Sequence, residues 1–484
     1  MTLAGNDKDI GVRRSSGIKY DGEILDVRKL SQIKQEEKIY PYDNALEMAG
    51  SGKYNLRLLV TMCIATHAMT LDVFGFSVIV NGAVCDLKLE QYQKSLLLTI
   101  PLLGSITMAY PWGYLSDTKG RRKCLIIAIS VSYTAAVLGA FSPSWIVLAV
   151  FKFIGSACSS GIQSMTYTLL GESCPRRCKN AYMLILSSFL VSAVSMYMVE
   201  SYLVFKAHFS VDLGLIVFTP WRLLALILSL PMAVALISLT WCYESPKYLL
   251  NSGQHDEALD VLKKIHATNK GSDVSYPEKN GLMNEVFQLP VQVSRITMNE
   301  MCSLVSGSSL LRSLMEQTVP LFKPPLLKNT LLLYYLTIVV YISNNGFYGW
   351  LPFYMEAFSK SLTSNSYFNE TRALCAMIAS SESFQDAPVE MCTSIVELTT
   401  VWAFMIQGVV FTSCGLMIAI VADRRKLLLI SILLFSTVCA SISVSLPERI
   451  SSIIFFFAIL MTSLTIGPLF SYIVDLYPTS YRWG

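Results

Sequence analysis

Charge is scarce in this chain. Of its 484 residues only 15% are Asp, Glu, Lys or Arg, against about 25% in a soluble domain. Composition this poor in charge points to a membrane as the solvent. The net formal charge of +4 is too small to argue for nucleic acid. Histidine is rarer still, at 4 residues, and no His-Glu cluster suggests a metal. The loops hold no Gly-rich phosphate cradle of the Walker type, which argues against ATP-driven pumping. No nucleophile and base stand in a catalytic pattern, so neither an enzyme nor a cofactor is expected. A dense disulfide framework is missing too, because the 12 cysteines are scattered singly, mostly inside apolar runs. Cys174 and Cys178 form a C-x3-C pair with no further Cys or His nearby, whereas a structural zinc needs about four ligands. An apolar leader is also absent from residues 1–50. The first hydrophobic helix is therefore expected to act as the insertion signal, with the N-terminus in the cytosol.

Apolar length is what the chain has, with 53% hydrophobic residues. A spanning helix needs about 20 mostly apolar residues. Ten stretches qualify: 57–80, 95–115, 124–141, 145–169, 181–205, 221–242, 331–356, 398–421, 427–445 and 451–474. Basic residues fall in alternate connections. Lys119, Arg121, Arg122 and Lys123 follow the second stretch, Arg176, Arg177 and Lys179 the fourth, and Arg424, Arg425 and Lys426 the eighth. The other connections are poor in Lys and Arg. Since cytosolic loops carry that excess, each even-to-odd connection is expected in the cytosol.

The resulting layout is all-α and polytopic. A polar cytosolic N-terminus covers 1–53, a six-helix bundle 54–243, a cytosolic loop 244–328 and a second bundle 329–484, with an outer loop at 358–397. Within the cytosolic loop, Leu259, Leu262 and Ile265 recur at helical spacing and predict an amphipathic helix that packs under the bundle. The outer loop holds an N-glycosylation sequon at Asn369. It also holds Cys375 and Cys392, which the exterior would permit to bond or to stay as free thiols. Two halves joined by a long loop suggest a transporter built from repeats, with its site near the midplane between them.

Gly113-Tyr-Leu-Ser-Asp117-Thr-Lys-Gly120-Arg121-Arg122-Lys123 sits where the second stretch meets the cytosol. Gly113 allows close helix approach and Gly120 a tight turn. Asp117 can face an Arg or a helix N-terminus. The segment resembles the signature loop between helices 2 and 3 of the major facilitator superfamily. Ala422-Asp423-Arg424-Arg425-Lys426 is a weaker echo in the second half. After the sixth stretch, Glu244-Ser245-Pro246-Lys247-Tyr248-Leu249 looks like the segment sugar porters carry there. Asn251-Ser-Gly-Gln-His-Asp-Glu-Ala258 and Val261-Leu-Lys-Lys-Ile-His266 are similar to the synaptic vesicle glycoprotein 2 family and its invertebrate relatives. Asp475-Leu-Tyr-Pro478-Thr-Ser-Tyr-Arg482 matches that family's segment after helix 10.

The resemblance implies a major facilitator fold of twelve spans. Ten are present, so the expectation is a six-helix N-terminal bundle and an incomplete four-helix C-terminal one. It also implies that Gly113, Asp117, Gly120, Arg121 and Arg122 form a latch between the halves. The family's helix-1 Asp position holds His67 here, and its helix-4 Arg position holds Lys152. Asp72 lies five residues beyond His67, about 140° around the helix, so it does not simply replace the missing acid.

Polar residues within spans are costly and tend to face an interior or a watery cavity. His67, Asp72, Gln163, Asn344, Asn345 and Gln407 are the candidate cavity residues. Lys152, near the start of its span, has a route to snorkel outward, and Glu200 lies close enough to the outer interface to be solvated. The expected function is alternating-access transport of a small organic solute, a sugar or an organic ion, across a plasma or vesicle membrane. The alternatives are a non-transporting membrane glycoprotein and an inactive shortened form. The topology makes a direct forecast. Asn369→Gln abolishes a glycosidase-sensitive gel shift, while a protease admitted only from the cytosol cuts within 116–123.

Overall fold

A computed structural model describes residues 40–207, 209–214, 216–271, 282–283, 322–324, 327–344, 398–420, 424–445 and 449–476. It opens with a two-residue strand β1 (Tyr40–Pro41) and a short helix α1 (Tyr42–Ala49). Long helices follow as α2 (Lys53–Ala83), α3 (Gln91–Lys119) and α4 (Arg121–Ala140). The fourth apolar stretch is bent into α5 (Trp145–Ser159) and α6 (Ile162–Ser173). Then come α7 (Arg176–Lys206), a small hairpin of β2 (Val211–Asp212) and β3 (Val217–Phe218), and α8 (Pro220–Leu239). Two polar-faced helices, α9 (Pro246–Asn251) and α10 (His255–Lys270), lie beyond the bundle. Strand β4 (Leu282–Met283) pairs in parallel with β1. The second half contributes α11 (327–344), α12 (Leu398–Ala419), α13 (Arg425–Ser445) and α14 (Arg449–Ile459). A 3-10 segment, Leu460–Thr465, leads into α15 (Ile466–Leu476).

The helix boundaries follow from local chemistry. Ser144 caps α5 by accepting from the Val147 amide at 3.5 Å, and Ser245 caps α9 by accepting from Tyr248 at 3.2 Å. Pro220 and Pro246 sit in the first turns of α8 and α9, where a missing N–H costs nothing. Helix α10 carries Asp256 and Glu257 in its first turn and Lys270 in its last, the arrangement the helix dipole favours.

Among the described residues, eight helices are long and apolar enough to cross a membrane. They cover the first six apolar stretches of the sequence, with α5 and α6 forming one span, together with the eighth and ninth. The tenth is interrupted by the tight turn at Leu460–Thr465, and the seventh is described only to residue 344. Side chains on the outer surface include Ile106, Ile237, Ile342, Val409 and Ile420, all at least 60% exposed. Water would not tolerate so broad an apolar belt, and a bilayer requires one.

Helices α2, α3, α4, α5, α7 and α8 pack into one bundle, with α2 against α7 and α8 and α5 against α3 and α4. The second half meets it chiefly through α12 against α7 and α15 against α7. At Gly408 and Gly415 of α12, an added methyl would overlap the Ser195 and Ser188 hydroxyls. Small residues let these two backbones approach closely, which is how helices associate where no hydrophobic drive exists.

The two ends of the first bundle differ. At the end bearing Lys119–Lys123 and Arg176–Lys179, called the basic end below, α1, α9 and α10 cover the helices. Leu262 and Ile265 of α10 are fully buried there with Tyr54 and Leu58 of α2. At the opposite end, Arg222 donates to the Ala140 and Ser142 carbonyls at 2.9 and 2.8 Å, and Asp86 accepts from Trp221 at 2.9 Å. Cys85, beside this cluster, is disulfide-bonded. The other described cysteines are free, so its partner lies outside the described residues, as do Cys375 and Cys392.

Asn269 is the rivet of the basic end. Its amide nitrogen donates to the Gly50 carbonyl and to Asn55 Oδ1, both at 2.9 Å, and its oxygen accepts from the Tyr54 amide at 3.0 Å. Asn55 is fully buried and bonds onward to the Ser173 carbonyl at 3.1 Å. Asn269→Ala is therefore expected to destabilise the chain by about 1–3 kcal/mol, measured by chemical unfolding in micelles. Asn269→Ala paired with Asn55→Ala should cost less than the sum of the two single changes.

Candidate functional site

At the basic end the signature loop folds into a network of charges. Gly120 breaks between α3 and α4 with φ +103°, a region glycine enters without steric cost. A side chain there would meet Glu244 Oε2 at 2.6 Å. The turn points Arg121 inward, leaving its side chain 2% exposed. Its guanidinium bonds Asp117 at 2.8 Å and Glu172 at 3.1 Å, and lies over the Tyr248 ring at 4.9 Å. Arg122 points the other way and donates from Nε to the Leu239 carbonyl at 3.1 Å. Glu244 crosses to the start of α4, accepting from the Arg122 amide at 2.9 Å. The negative group meets the helix's positive end there.

Glu172 is the centre of this network and did not stand out in the sequence. Its carboxylate is 1% exposed, accepts from Ser245 Oγ at 2.6 Å and forms an ion pair with Arg121. Tyr42 donates its hydroxyl to the Glu172 carbonyl at 2.5 Å. Burial, and then the Glu172 charge, push the Tyr42 phenol above its ordinary value and keep it a donor. The overlooked signal was an acid closing an apolar stretch just before a proline, in Gly171-Glu172-Ser173-Cys174-Pro175. Pro246 is buried at the start of α9 and sets the turn that brings Ser245 to Glu172. Gly113, one turn before Asp117, is buried and its carbonyl accepts from Ser116 Oγ at 2.9 Å.

The halves are joined at this same end. Lys179, in the first turn of α7, pairs with Asp475 near the end of α15 at 2.5 Å. One residue on, Asn180 accepts from Ser471 at 2.8 Å. Deeper in, Tyr167 of α6 stacks on Phe470 of α15 with centroids 4.5 Å apart. Pro478 and Arg482 lie outside the described residues.

The interior polar residues divide into two groups. The Gln163 side chain of α6 lies close to Tyr341 of α11, across the halves. Asn344 of α11 is 4% exposed and accepts from Thr462 Oγ1 at 3.2 Å. Gln407 of α12 is 6% exposed. His67 is half-buried on the face of α2 toward α7, its Nδ1 3.3 Å from the Phe189 carbonyl. These four lie where the halves meet or on the helices that meet there. Asn345 lies outside the described residues, as does Asn369.

Asp72 belongs elsewhere. Five residues past His67, it faces α5 and pairs with Lys152 at 2.8 Å. Lys152 does not snorkel. Its Nζ turns inward to donate to the Asp72 carbonyl at 2.7 Å and sits 4.7 Å from the Phe76 ring centre. The pair borders a cavity of about 30 Å3 between α2, α4, α5 and α8, which no described residue of the second half lines. That is room for a water, and Asp72 Oδ2 is buried with no hydrogen-bond partner among the described residues. Glu200 is likewise not fully solvated, since one carboxylate oxygen is buried with no hydrogen-bond partner among the described residues.

The comparisons with known proteins agree with this architecture. A family model described as Major Facilitator Superfamily matches residues 62–482. The synaptic vesicle glycoprotein 2C of Mus musculus is 26% identical over 386 residues, covering 77% of this chain and 51% of that protein. The synaptic vesicle glycoprotein 2A of Homo sapiens is 27% identical over 248 residues, covering 51% of this chain and 33% of that protein. The chain thus spans about half the length of the mouse protein and a third of the human one. The structure of the proton:xylose symporter XylE bound to 6-bromo-6-deoxy-D-glucose aligns with a TM-score of 0.55 at 14% identity, covering 89% of this chain and 83% of that one. A partially occluded inward-open form of XylE from E. coli aligns at 0.51 and 13%, covering 89% and 88%.

The buried pair gives a stability test. Asp72→Asn strands the Lys152 charge and is expected to cost about 3–5 kcal/mol. Adding Lys152→Met to it should recover much of that loss in the same unfolding assay, whereas additive losses would mean that the two side chains act independently.

Proposed function

The chain belongs to the major facilitator superfamily, and on that premise we propose that it moves a small organic solute across a membrane by alternating access. The observation carrying this reading is the double lock at the basic end. Arg121, Asp117 and Glu172 tie α3, α4 and α6 within the first half, while Lys179–Asp475 ties that half to the second. For a path to open at this end, Lys179 and Asp475 must separate and Tyr167 must leave Phe470. Charges partly reached by water can separate without stranding a bare ion, because solvent replaces the partner. Asp475 is 32% exposed and Lys179 13%, so the pair sits at that boundary.

The basic end faces the cytosol in this reading, by the excess of Lys and Arg in its loops. The N-terminus lies on the same side, and the membrane is that of a vesicle or the cell surface. Amides and aromatic rings supply the midplane: Gln163, Asn344 and Gln407 with Tyr341 and Tyr167, and no carboxylate among them. Such groups hydrogen-bond hydroxyls and stack on flat or ring-shaped faces. They suit a neutral, hydroxyl-bearing solute such as a sugar better than an organic ion. His67 lies beside this set and offers a ring nitrogen for hydrogen bonding.

Reconstituted full-length chain is expected to take up a radiolabelled monosaccharide in preference to an organic cation. Lys179→Asp and Asp475→Lys should each lower uptake several-fold, and the double reversal should restore most of it. Equal activity in all four proteins would sink the lock. No uptake of any solute by wild type would instead favour a membrane glycoprotein that displays loops without transporting.

A further inference from the structure

Cys174 and Cys178 have no part in the lock, yet they sit at its joint. Glu172 lies two residues before Cys174, and Lys179 directly follows Cys178. The intervening Pro175 starts α7, its carbonyl accepting from the Cys178 and Lys179 amides at 3.2 and 3.1 Å. Cys174 therefore stands just before the cap and Cys178 in the first turn, positions that fold back on one another. The two thiols are near enough to interact. Asn55 Nδ2 also reaches Cys174 Sγ at 3.6 Å, and Cys178 Sγ lies 3.5 Å from the Pro175 carbonyl.

Their surroundings differ. Cys174 is 2% exposed, whereas Cys178 is only half-buried. Cys178 lies at the positive end of a 31-residue helix, with Arg176, Arg177 and Lys179 beside it. A partly open, electropositive helix N-terminus is where a cysteine reacts as thiolate. Cys174 is the complementary partner: the neighbouring Cys178 side chain, and then burial, push its thiol well above the ordinary value. Of the other described free cysteines, Cys63, Cys124, Cys242 and Cys439 are buried and Cys158 and Cys414 half-buried.

We propose that Cys174 and Cys178 form a reversible dithiol–disulfide site, with Cys178 as the attacking sulfur and Cys174 as the resolving one. The oxidant is hydrogen peroxide. The Cys178 thiolate attacks one peroxide oxygen, the O–O bond breaks, and the departing hydroxide takes a proton to become water. Cys178 is left as a sulfenic acid. Cys174 then gives up its proton and its sulfur displaces the hydroxyl from Cys178, releasing a second water as the S–S bond forms. Two thiols lose two electrons in total, and one peroxide is reduced to two waters. A dithiol reductant such as thioredoxin reverses the change. The bond ties Cys174, two residues beyond Glu172, to the first turn of α7 and stiffens the turn between the two parts of the lock. This inference stands apart from the transport reading, since it concerns chemistry at the turn and not passage of a solute.

Trypsin cuts after Arg176 and Arg177, between the two cysteines, so the bond leaves a signature. Full-length chain in nanodiscs, treated with hydrogen peroxide and digested without reductant, should yield the Cys174 and Cys178 peptides cross-linked. Reduction should separate them. Cys178→Ser should leave Cys174 as slow to oxidise as Cys63. Cys174→Ser should trap Cys178 as a sulfenic acid that a cyclic 1,3-diketone labels. In the oxidised wild type, hydrogen exchange at the 174–180 amides should slow several-fold. Wild-type chain that resists peroxide, or that accumulates diketone-reactive Cys178 without a cross-link, overturns the pairing. A cross-link with unchanged exchange overturns the stiffening.

Discussion

A buried guanidinium organises this protein. Arg121 is almost fully enclosed at the basic end of the bundle, and removing such a charge from water costs several kcal/mol unless partners are in place. Asp117, Glu172 and the Tyr248 face meet that requirement together, and they arrive from three different helices. Much else follows. Gly120 must turn at positive φ to aim Arg121 inward, and Glu244 must cap the next helix where a side chain on Gly120 would have stood. Ser245, Pro246 and Tyr248 start the helix that lies under the bundle because the first of them bonds Glu172. Helix α10 then carries Asn269 back to the entry of α2.

The interior uses charge differently. Asp72 and Lys152 neutralise one another inside the first bundle, whereas the residues facing the second half are amides, hydroxyls and aromatic rings. The distinction is physical. A buried ion pair tolerates little separation, since a lone charge in a low-dielectric interior is expensive. Neutral hydrogen-bonding groups can exchange a partner helix for a solute or for water at far smaller cost. An interface that opens and closes is better built from the second kind, with ion pairs kept to its rim or to the rigid bundles. Lys179–Asp475 at the rim and Asp72–Lys152 within the bundle follow that division.

The cysteine pair adds a chemical element to the same joint. The turn from Glu172 to Asn180 touches the first half at one end and the second half at the other. A covalent bond within so short a turn acts on both contacts without touching either. Its position at a helix start, next to three basic side chains, gives one sulfur the reactivity and leaves the other as its shielded partner.

Several features could be read from residue order alone. The bilayer demands long apolar helices, so the spans were legible, and eight of the ten occur among the described residues where the apolar stretches predict them. The signature loop was legible because its glycines and charges act within a dozen neighbouring residues. The helix over His255–Lys270 was legible from its leucine spacing. The centre of the lock was not: Glu172 meets Arg121 and Ser245 only after whole spans intervene, and no local pattern records a contact of that kind. Likewise the sequence placed His67 and Asp72 on one helix and separated them by 140°, but it could not say which neighbour each would meet. Lys152, equally able to reach outward or inward, was decided by Asp72 lying opposite it. Local spacing specified helices, caps and turns, because those depend on near neighbours. The choice of partner for each buried charge belonged to the packing of the bundle, because it depends on atoms distant in the chain.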